Sequence, residues 1–182
     1  MIRLIDIFLS FCGLILFIPI LSIILLIAFI DTGSPLFIQK RLGLNRKIFL
    51  LVKFRTIKIN KSSYLGTHLI DNFSITKIGS FLRFTKFDEL PQLWNVLRGD
   101  MSLVGPRPSL TNQSRLIFER RKRGVFKVRP GITGLSQIRG INMSKPLLLA
   151  KTDSKMIKKM NVSLYFYLLI ITFIKLVKKN LN

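Results

Sequence analysis

From Ile7 to Ile30 the chain carries no charged residue. As a helix such a run is roughly 36 Å long at about 1.5 Å per residue, enough to cross a hydrocarbon core of about 30 Å. It reads as a membrane segment, so the globular part must be smaller than the 182 residues of the chain suggest. A cleaved signal sequence would have a shorter apolar region followed by small residues. Here Asp31-Thr32-Gly33-Ser34-Pro35 follows, which reads as a turn. Pro19 stands in the middle of the run, where it removes one helical hydrogen bond and crowds the preceding turn, so a kink or break is expected there. Two topologies fit: a kinked helix that spans, or a re-entrant hairpin that enters and leaves on one side. The flank after the run carries Lys40, Arg41, Arg46, Lys47, Lys53 and Arg55 against Arg3 before it. The positive-inside rule therefore places the C-terminal part in the cytoplasm and leaves the side of Met1 open.

The net charge is +22, from 30 Lys and Arg against 8 Asp and Glu. Such a surface attracts an anionic partner: a phosphate-bearing substrate, an anionic lipid surface or nucleic acid. The single cysteine, Cys12, lies in the apolar run and the single histidine is His68. A disulfide framework and a Cys/His zinc cluster are thereby excluded. A Ser-His-Asp or Cys-His hydrolase would need His68 as its base, and no nucleophile motif surrounds it. Acid, base or metal chemistry in this chain rests on carboxylates, of which only Asp88 and Glu89 are adjacent.

Beyond the apolar run, Leu36-Phe37-Ile38 and Ile48 to Phe54 flank Gly43-Leu44-Asn45, which suggests a short hairpin with a basic face. Residues 60 to 76 are polar and rich in turn formers, and read as a loop. Helical spacing resumes with Leu90, Leu93, Trp94, Val96 and Leu97 and stops at Gly99, well placed as a C-terminal glycine. Ser114 to Lys127 is a second, strongly basic helix candidate. Val128 to Asn142, with Pro130 and three glycines, reads as an ordered loop. The apolar run Leu164 to Ile174 is too short to cross a membrane and is expected to lie on its surface or against the domain.

Asp88 and Glu89 therefore stand at a helix start. Adjacent residues on a helix diverge by about 100°, so the two carboxylates suit two different roles. Helix N-termini stabilise carboxylates and phosphates alike, and for an Asp-Glu pair taken alone the favoured reading is a plain cap by Asp88 with Glu89 as a dipole partner, which only context can shift. Gly105-Pro106-Arg107-Pro108 fixes its backbone twice, so Arg107 is presented from a rigid turn. Arg129 precedes Pro130 and Gly131 in the same manner. A guanidinium held this way binds phosphate in bidentate fashion at little ordering cost, and a solvated arginine on a basic surface is the competing reading. Lys53 and Arg83 follow by the same logic.

The motifs Lys53-Phe54-Arg55-Thr56, Asp88-Glu89-Leu90-Pro91-Gln92-Leu93, Gly99-Asp100-Met101-Ser102, Val104-Gly105-Pro106-Arg107-Pro108 and Val128-Arg129-Pro130-Gly131-Ile132-Thr133-Gly134-Leu135 occur in this order. Together they resemble the signature of the bacterial sugar transferases, the monotopic phosphoglycosyl transferases. The resemblance implies an α/β fold class: a small, mostly helical cytoplasmic domain with a short β-hairpin, over residues 33–182. It implies a re-entrant membrane helix over residues 1–32, kinked at Pro19, and amphipathic helices at the interface with membrane lipids. It further implies a magnesium-dependent enzyme at the cytoplasmic face of the bacterial inner membrane. There a sugar-1-phosphate passes from a UDP-sugar to polyprenyl (undecaprenyl) phosphate, UMP is released, and a surface glycan pathway takes its first membrane step. By the same resemblance Asp88 is the nucleophile that becomes a covalent phosphosugar-aspartate and Glu89 a Mg²⁺ ligand. Arg107 holds phosphate, supported by Arg129, Arg83 and Lys53. After residue 140 the resemblance fades: Asn161-Val162-Ser163 is present, but Lys155 and Tyr167 stand where the family carries acids. Two other classes remain, a non-catalytic member acting as a membrane scaffold and a basic nucleic-acid binder. No nucleic-acid-binding motif is visible, so nucleic acid is not expected as a partner.

Overall fold

A computed structural model of the chain describes residues 1–58 and 75–181. Of the stretch read as a loop, residues 60–74 lie outside the described residues, as does His68.

Helix α1, Ile2–Thr32, runs for 31 residues, about 46 Å at 1.5 Å per residue, and ends at Gly33 in the left-handed conformation. Pro19 lies inside it, and the two half-helices that a break would give are not separate elements. Proline forfeits one i→i−4 bond, and helical neighbours on both sides carry the element through. By length and composition α1 is the one helix among the described residues able to cross a membrane. Its burial pattern is not that of a free-standing span, however. Ile2, Ile5 and Leu9 pack on the main core, a Cβ on Gly13 would lie 3.3 Å from Leu93, and Ile20 and Leu21 join buried Ile24 on a second cluster with Phe54 and Leu82. These positions recur every three or four residues, the period of one helix face. The opposite face, with Leu4, Phe8, Phe11 and Ile15, is exposed and apolar.

Polar contacts fix the start of α1. Arg3 donates to the carbonyls of Val96 at 2.7 Å and Leu97 at 3.1 Å, two of the last carbonyls of a neighbouring helix, the first of which also accepts from the Gly99 amide that caps it. Buried Asp6 accepts from the Ser102 hydroxyl and the Leu103 amide, each at 2.9 Å, and from the Tyr165 hydroxyl at 2.7 Å. Burial and the Asp6 carboxylate push the Tyr165 phenol well above its usual range, so it stays a donor.

Strands β1, Leu36–Leu42, and β2, Ile48–Phe54, form the expected hairpin, pairing Leu36 with Phe54 and Leu42 with Ile48. Helices α2, Lys77–Thr85, and α3, Gln92–Arg98, follow. Gly99 closes α3 at φ 91°, its amide donating to Asn95 and Val96, a conformation that any L side chain would strain. Strand β3, Ser102–Val104, leads to β4, Ser109–Leu110, which adds to the hairpin beside β1, so the sheet has three strands in the order β2-β1-β4. Helix α4, Ser114–Lys122, ends earlier than its basic pattern suggests.

The segment read as a loop holds β5, Gly131–Thr133, and α5, Leu135–Ile138. Strand β5 pairs in parallel with β3. The approach is so close that a Cβ on Gly131 would fall 1.9 Å from the Gly105 amide nitrogen. Only glycine lets the two backbones touch there. Helices α6, Pro146–Lys158, and α7, Val162–Leu181, complete the chain. The main core joins Phe49 and Leu51 of β2, Val96 of α3, Leu103 and Val104 of β3, and Tyr165 and Leu168 of α7. Helix α7 thus packs one face inward, while Phe166, Tyr167, Ile170 and Phe173 are exposed.

Candidate active site

Asp88 and Glu89 lie in a 3-10 turn, Phe87–Glu89, just before α3. Lys86 precedes it at φ 63°, a left-handed position rarely adopted by a side chain of this size, which reverses the chain between α2 and the turn. The reversal sends Asp88 inward, where it is buried and its Oδ1 has no hydrogen-bond partner. Glu89 Oε1 lies 3.8 Å from Arg107 Nη2 and 3.8 Å from Lys86 Nζ.

The environment drives the two carboxylates apart. Burial pushes Asp88 up to about 6, helped by the charge of Glu89 and opposed by Lys53, Lys86 and Arg83. Burial acts on Glu89 in the same direction, but Arg107, Lys86 and Lys53 outweigh it and hold Glu89 below its usual range. Burial also lowers Lys53 to about 8, against the pull of Asp88 and Glu89. Adjacent acids whose affinities for a proton are split in this way are suited to separate tasks, one the stronger nucleophile or base and the other a permanent anion.

The turn bearing Arg107 is held through its own carbonyls. Pro106 accepts from the Gly131 amide at 2.9 Å, Arg107 from Arg120 Nη1 at 2.7 Å, and Pro108 from Arg41 Nη1 at 3.1 Å. Arg120 is buried and in turn held by Asp153, with Nε and Nη2 at 3.1 and 2.6 Å from Oδ2; the Ser136 hydroxyl donates to Oδ1 at 2.5 Å. The guanidinium of Arg107 is left facing Glu89 and solvent.

Lys53, Asp88, Glu89 and Arg107 are therefore brought together, with Arg83 acting on Asp88 from α2 while its Nε donates to the Thr56 hydroxyl at 2.8 Å. Arg129 stands apart. Its Nε donates to the Gly99 carbonyl at 2.8 Å, and it lines neither cavity beside the carboxylates. The smaller of these, about 20 Å³, lies among Lys53, Arg41, Arg107 and Glu89, a cationic niche with room for about one water-sized group. The larger, about 750 Å³, opens from Lys86, Glu89 and Arg107 toward α5 and α7. Sequence reasoning missed Arg41, which is buried between the hairpin and the Arg107 turn and lowered to about 10 by burial and by Arg107. It also missed Arg120, whose one signal is its place four residues after buried Leu116 on the inner face of α4. Asp153, the acid nearest the place where the C-terminal resemblance fades, serves as the partner of Arg120.

The chain matches a family model, described as bacterial sugar transferase, over residues 1–179. This chain belongs to the bacterial sugar transferase family. The match runs through the C-terminal region as well as the five motifs. Among relatives of this bacterial sugar transferase, the uncharacterised sugar transferase EpsL of Bacillus subtilis (strain 168) is 50% identical over 111 residues, 60% of this chain and 54% of that protein. The UDP-glucose:undecaprenyl-phosphate glucose-1-phosphate transferase of Escherichia coli (strain K12) is 41% identical over 143 residues, 74% of this chain and 30% of that protein. A putative undecaprenyl-phosphate N-acetylgalactosaminyl 1-phosphate transferase of Bacillus subtilis (strain 168) is 40% identical over 109 residues, 58% of this chain and 60% of that protein. The chain thus spans about half the length of the first of these relatives and under a third of the second.

Proposed function

We propose that this sugar transferase is a phosphoglycosyl transferase that moves a sugar-1-phosphate from a UDP-sugar to undecaprenyl phosphate, releasing UMP. The observation that carries the reading is the split carboxylate pair, buried Asp88 raised to about 6 and Glu89 lowered, set against Arg107 and Lys53. The relatives' names supply the substrate class.

In the first step an Asp88 oxygen attacks the sugar-linked phosphorus, and the bond from that phosphorus to the bridging oxygen breaks. The bridging oxygen and its electron pair leave with UMP, and the sugar phosphate is left on Asp88. A phosphate oxygen of the lipid then attacks the same phosphorus and the carboxylate of Asp88 is restored. Asp88 is suited to this because it has no hydrogen bond at Oδ1 to give up. Arg107 and Lys53 hold the diphosphate oxygens, and the carbonyl-held turn keeps Arg107 from reorganising as charge shifts.

Mg²⁺ fits these residues. Among the described residues no three acidic, His or Cys side chains converge, so the protein offers the Asp88–Glu89 pair alone. A cation that commonly takes one or two carboxylates and completes its shell with phosphate oxygens and water suits such a pair, with Glu89 as the ligand. When bound, it would neutralise charge on the diphosphate as the bridging bond breaks. Purified protein with a panel of UDP-sugars, undecaprenyl phosphate and Mg²⁺ is expected to release UMP with at least one sugar, and chelation with EDTA to stop it. No release across the panel would leave the scaffold reading in its place.

The packing of α1 along one domain supports a monotopic placement, with both ends of this continuous helix on the cytoplasmic side of the inner membrane and the exposed faces of α1 and α7 toward lipid; a re-entrant course would require the helix to bend at Pro19. Contacts of one domain with both Ile2 and Ile24 are hard to keep if α1 carries one end across a bilayer. A cysteine placed at residue 2, in a chain whose Cys12 is changed to Ser, is expected to react with an impermeant thiol reagent only after spheroplasts are permeabilised. Labelling of intact spheroplasts would establish a spanning helix.

A further inference from the structure

The larger cavity joins a charged end to an apolar wall. Its volume, about 750 Å³, is that of a small-molecule site, for which roughly 300–1,000 Å³ is usual. Lys86, Glu89 and Arg107 form one end. The far wall is one face of α7, where Leu169, Thr172, Phe173 and Leu176 recur at helical spacing, opposite Ile138 of α5 and Ile132 of β5.

The polar groups on that wall are already engaged. The Thr172 hydroxyl contacts the Thr133 hydroxyl at 2.6 Å and donates to the Leu168 carbonyl at 2.7 Å, and Lys175 donates to the Ile138 carbonyl at 2.7 Å. Gln137 Oε1 is buried and without a partner, but it belongs to the charged end, since Gln137 Nε2 lies 3.5 Å from the Gly105 carbonyl beside the Arg107 turn. A nucleotide sugar carries hydroxyls, ring carbonyls and phosphates along its whole length. Buried against Leu169 and Phe173, those groups would lose their hydrogen bonds to water without replacement. An amphiphile with one phosphate and a hydrocarbon tail matches both ends at once.

We propose that this cavity is the acceptor site, taking the phosphate of the polyprenyl phosphate at Lys86 and Arg107 and its first isoprene units along the side of α7 formed by Leu169, Thr172, Phe173 and Leu176. The identity of the amphiphile rests on the transfer reading above. The site itself rests on the lining and its charge.

The test uses the full chain in lipid nanodiscs with a polyprenyl phosphate bearing a diazirine on its isoprenoid chain. Crosslinks are expected on α7 between Leu169 and Leu176 or on residues 138–143. Unlabelled polyprenyl phosphate should compete, and phosphatidic acid at the same concentration should not. Labelling confined to the exposed face of α1, or competed equally by phosphatidic acid, would overturn the assignment. As a second measurement, Phe173→Glu places a charge on the wall at a position exposed enough for folding to tolerate it. The acceptor KM should rise by about tenfold or more and that for UDP-sugar stay within about twofold, because only the apolar tail is opposed. Phe166→Glu, two turns back on α7 and outside the cavity, controls for membrane attachment and should leave the acceptor KM unchanged. Equal acceptor KM in Phe173→Glu and the unaltered protein would also overturn the site. If the unaltered protein labels on α7 but never releases UMP, the lipid site stands and the transfer reading fails; release of UMP with labelling elsewhere gives the reverse.

Discussion

Asp88→Asn is expected to abolish UMP release and, at the same time, to make the protein more stable at neutral pH. The loss of turnover follows from chemistry: an amide of the same shape cannot supply the attacking oxygen, and removing a covalent nucleophile costs on the order of 10⁶ in rate. The gain in stability follows from burial. The folded protein raises Asp88 from 3.8 to about 6. Between about pH 4 and pH 6 it therefore holds a proton that the unfolded chain has released, and its stability falls as pH rises through that window. Above it, the ionised side chain costs the fold on the order of 2–3 kcal/mol. Asparagine carries no such cost, so denaturation at pH 8 should favour the variant and the difference should shrink as pH falls toward 4. In the unaltered protein, phosphosugar transfer to Asp88 should lose rate on the acid side near pH 6, where the carboxylate takes up its proton. Intact mass of enzyme held with UDP-sugar and Mg²⁺ but no lipid reads the adduct directly. Full turnover by Asp88→Asn would remove Asp88 from the mechanism.

The second large effect is expected far from the carboxylate pair. Asp153→Ala should destabilise the protein by roughly 3–5 kcal/mol, because it leaves the Arg120 guanidinium buried without its counter-charge. Arg120 also donates to the carbonyl of Arg107, so the turn that presents Arg107 should loosen in the same variant. Replacing both partners by apolar residues of similar volume, Arg120→Met with Asp153→Leu, should recover much of the stability, since no charge remains to be desolvated. It should not recover the rate, because the Arg107 carbonyl has still lost its donor. Urea denaturation of the three proteins with kinetics on each separates the two outcomes. A stability change within about 0.5 kcal/mol for Asp153→Ala would mean that the pair is exposed to water in solution.

The parts of this arrangement that were legible in the sequence are those written locally. The uncharged run, the hairpin and the closure of α3 at Gly99 each depend on neighbours within a few residues. The β3–β5 pairing was not legible, because its strands are three residues each and the decisive contact is between two glycines, Gly105 and Gly131. Arg41 entered the sequence reading only as one more cation on the flank of the apolar run, although it is buried beneath the Arg107 turn. Nothing near it in sequence announces the Pro108 carbonyl that it meets. The Arg120–Asp153 pair joins α4 to α6 and looks, in a segment as basic as this, like two unrelated surface charges. At the site itself, the motifs named Asp88, Glu89, Arg107 and Lys53, and the fold places these four side chains near one another. Only the fold could reveal that Arg129 Nε donates to the Gly99 carbonyl and that the residue lines neither cavity beside the carboxylates.

The stripe of contacts along α1 has a consequence for how freely that helix can vary. An ordinary hydrophobic anchor behaves as a tether, and its length and sequence can drift so long as it stays greasy. Here the packed positions lie on one face from Ile2 to Ala28. Adding a single residue between Leu9 and Ile20 would turn one half against the other by about 100° and shift it by about 1.5 Å. Either the Arg3 and Asp6 contacts or the Ile24 cluster would then be out of phase. The helix is subject to the spacing rules of a protein interior while presenting its other side to the surroundings, so exchanging it for a generic apolar segment would remove a wall of the domain.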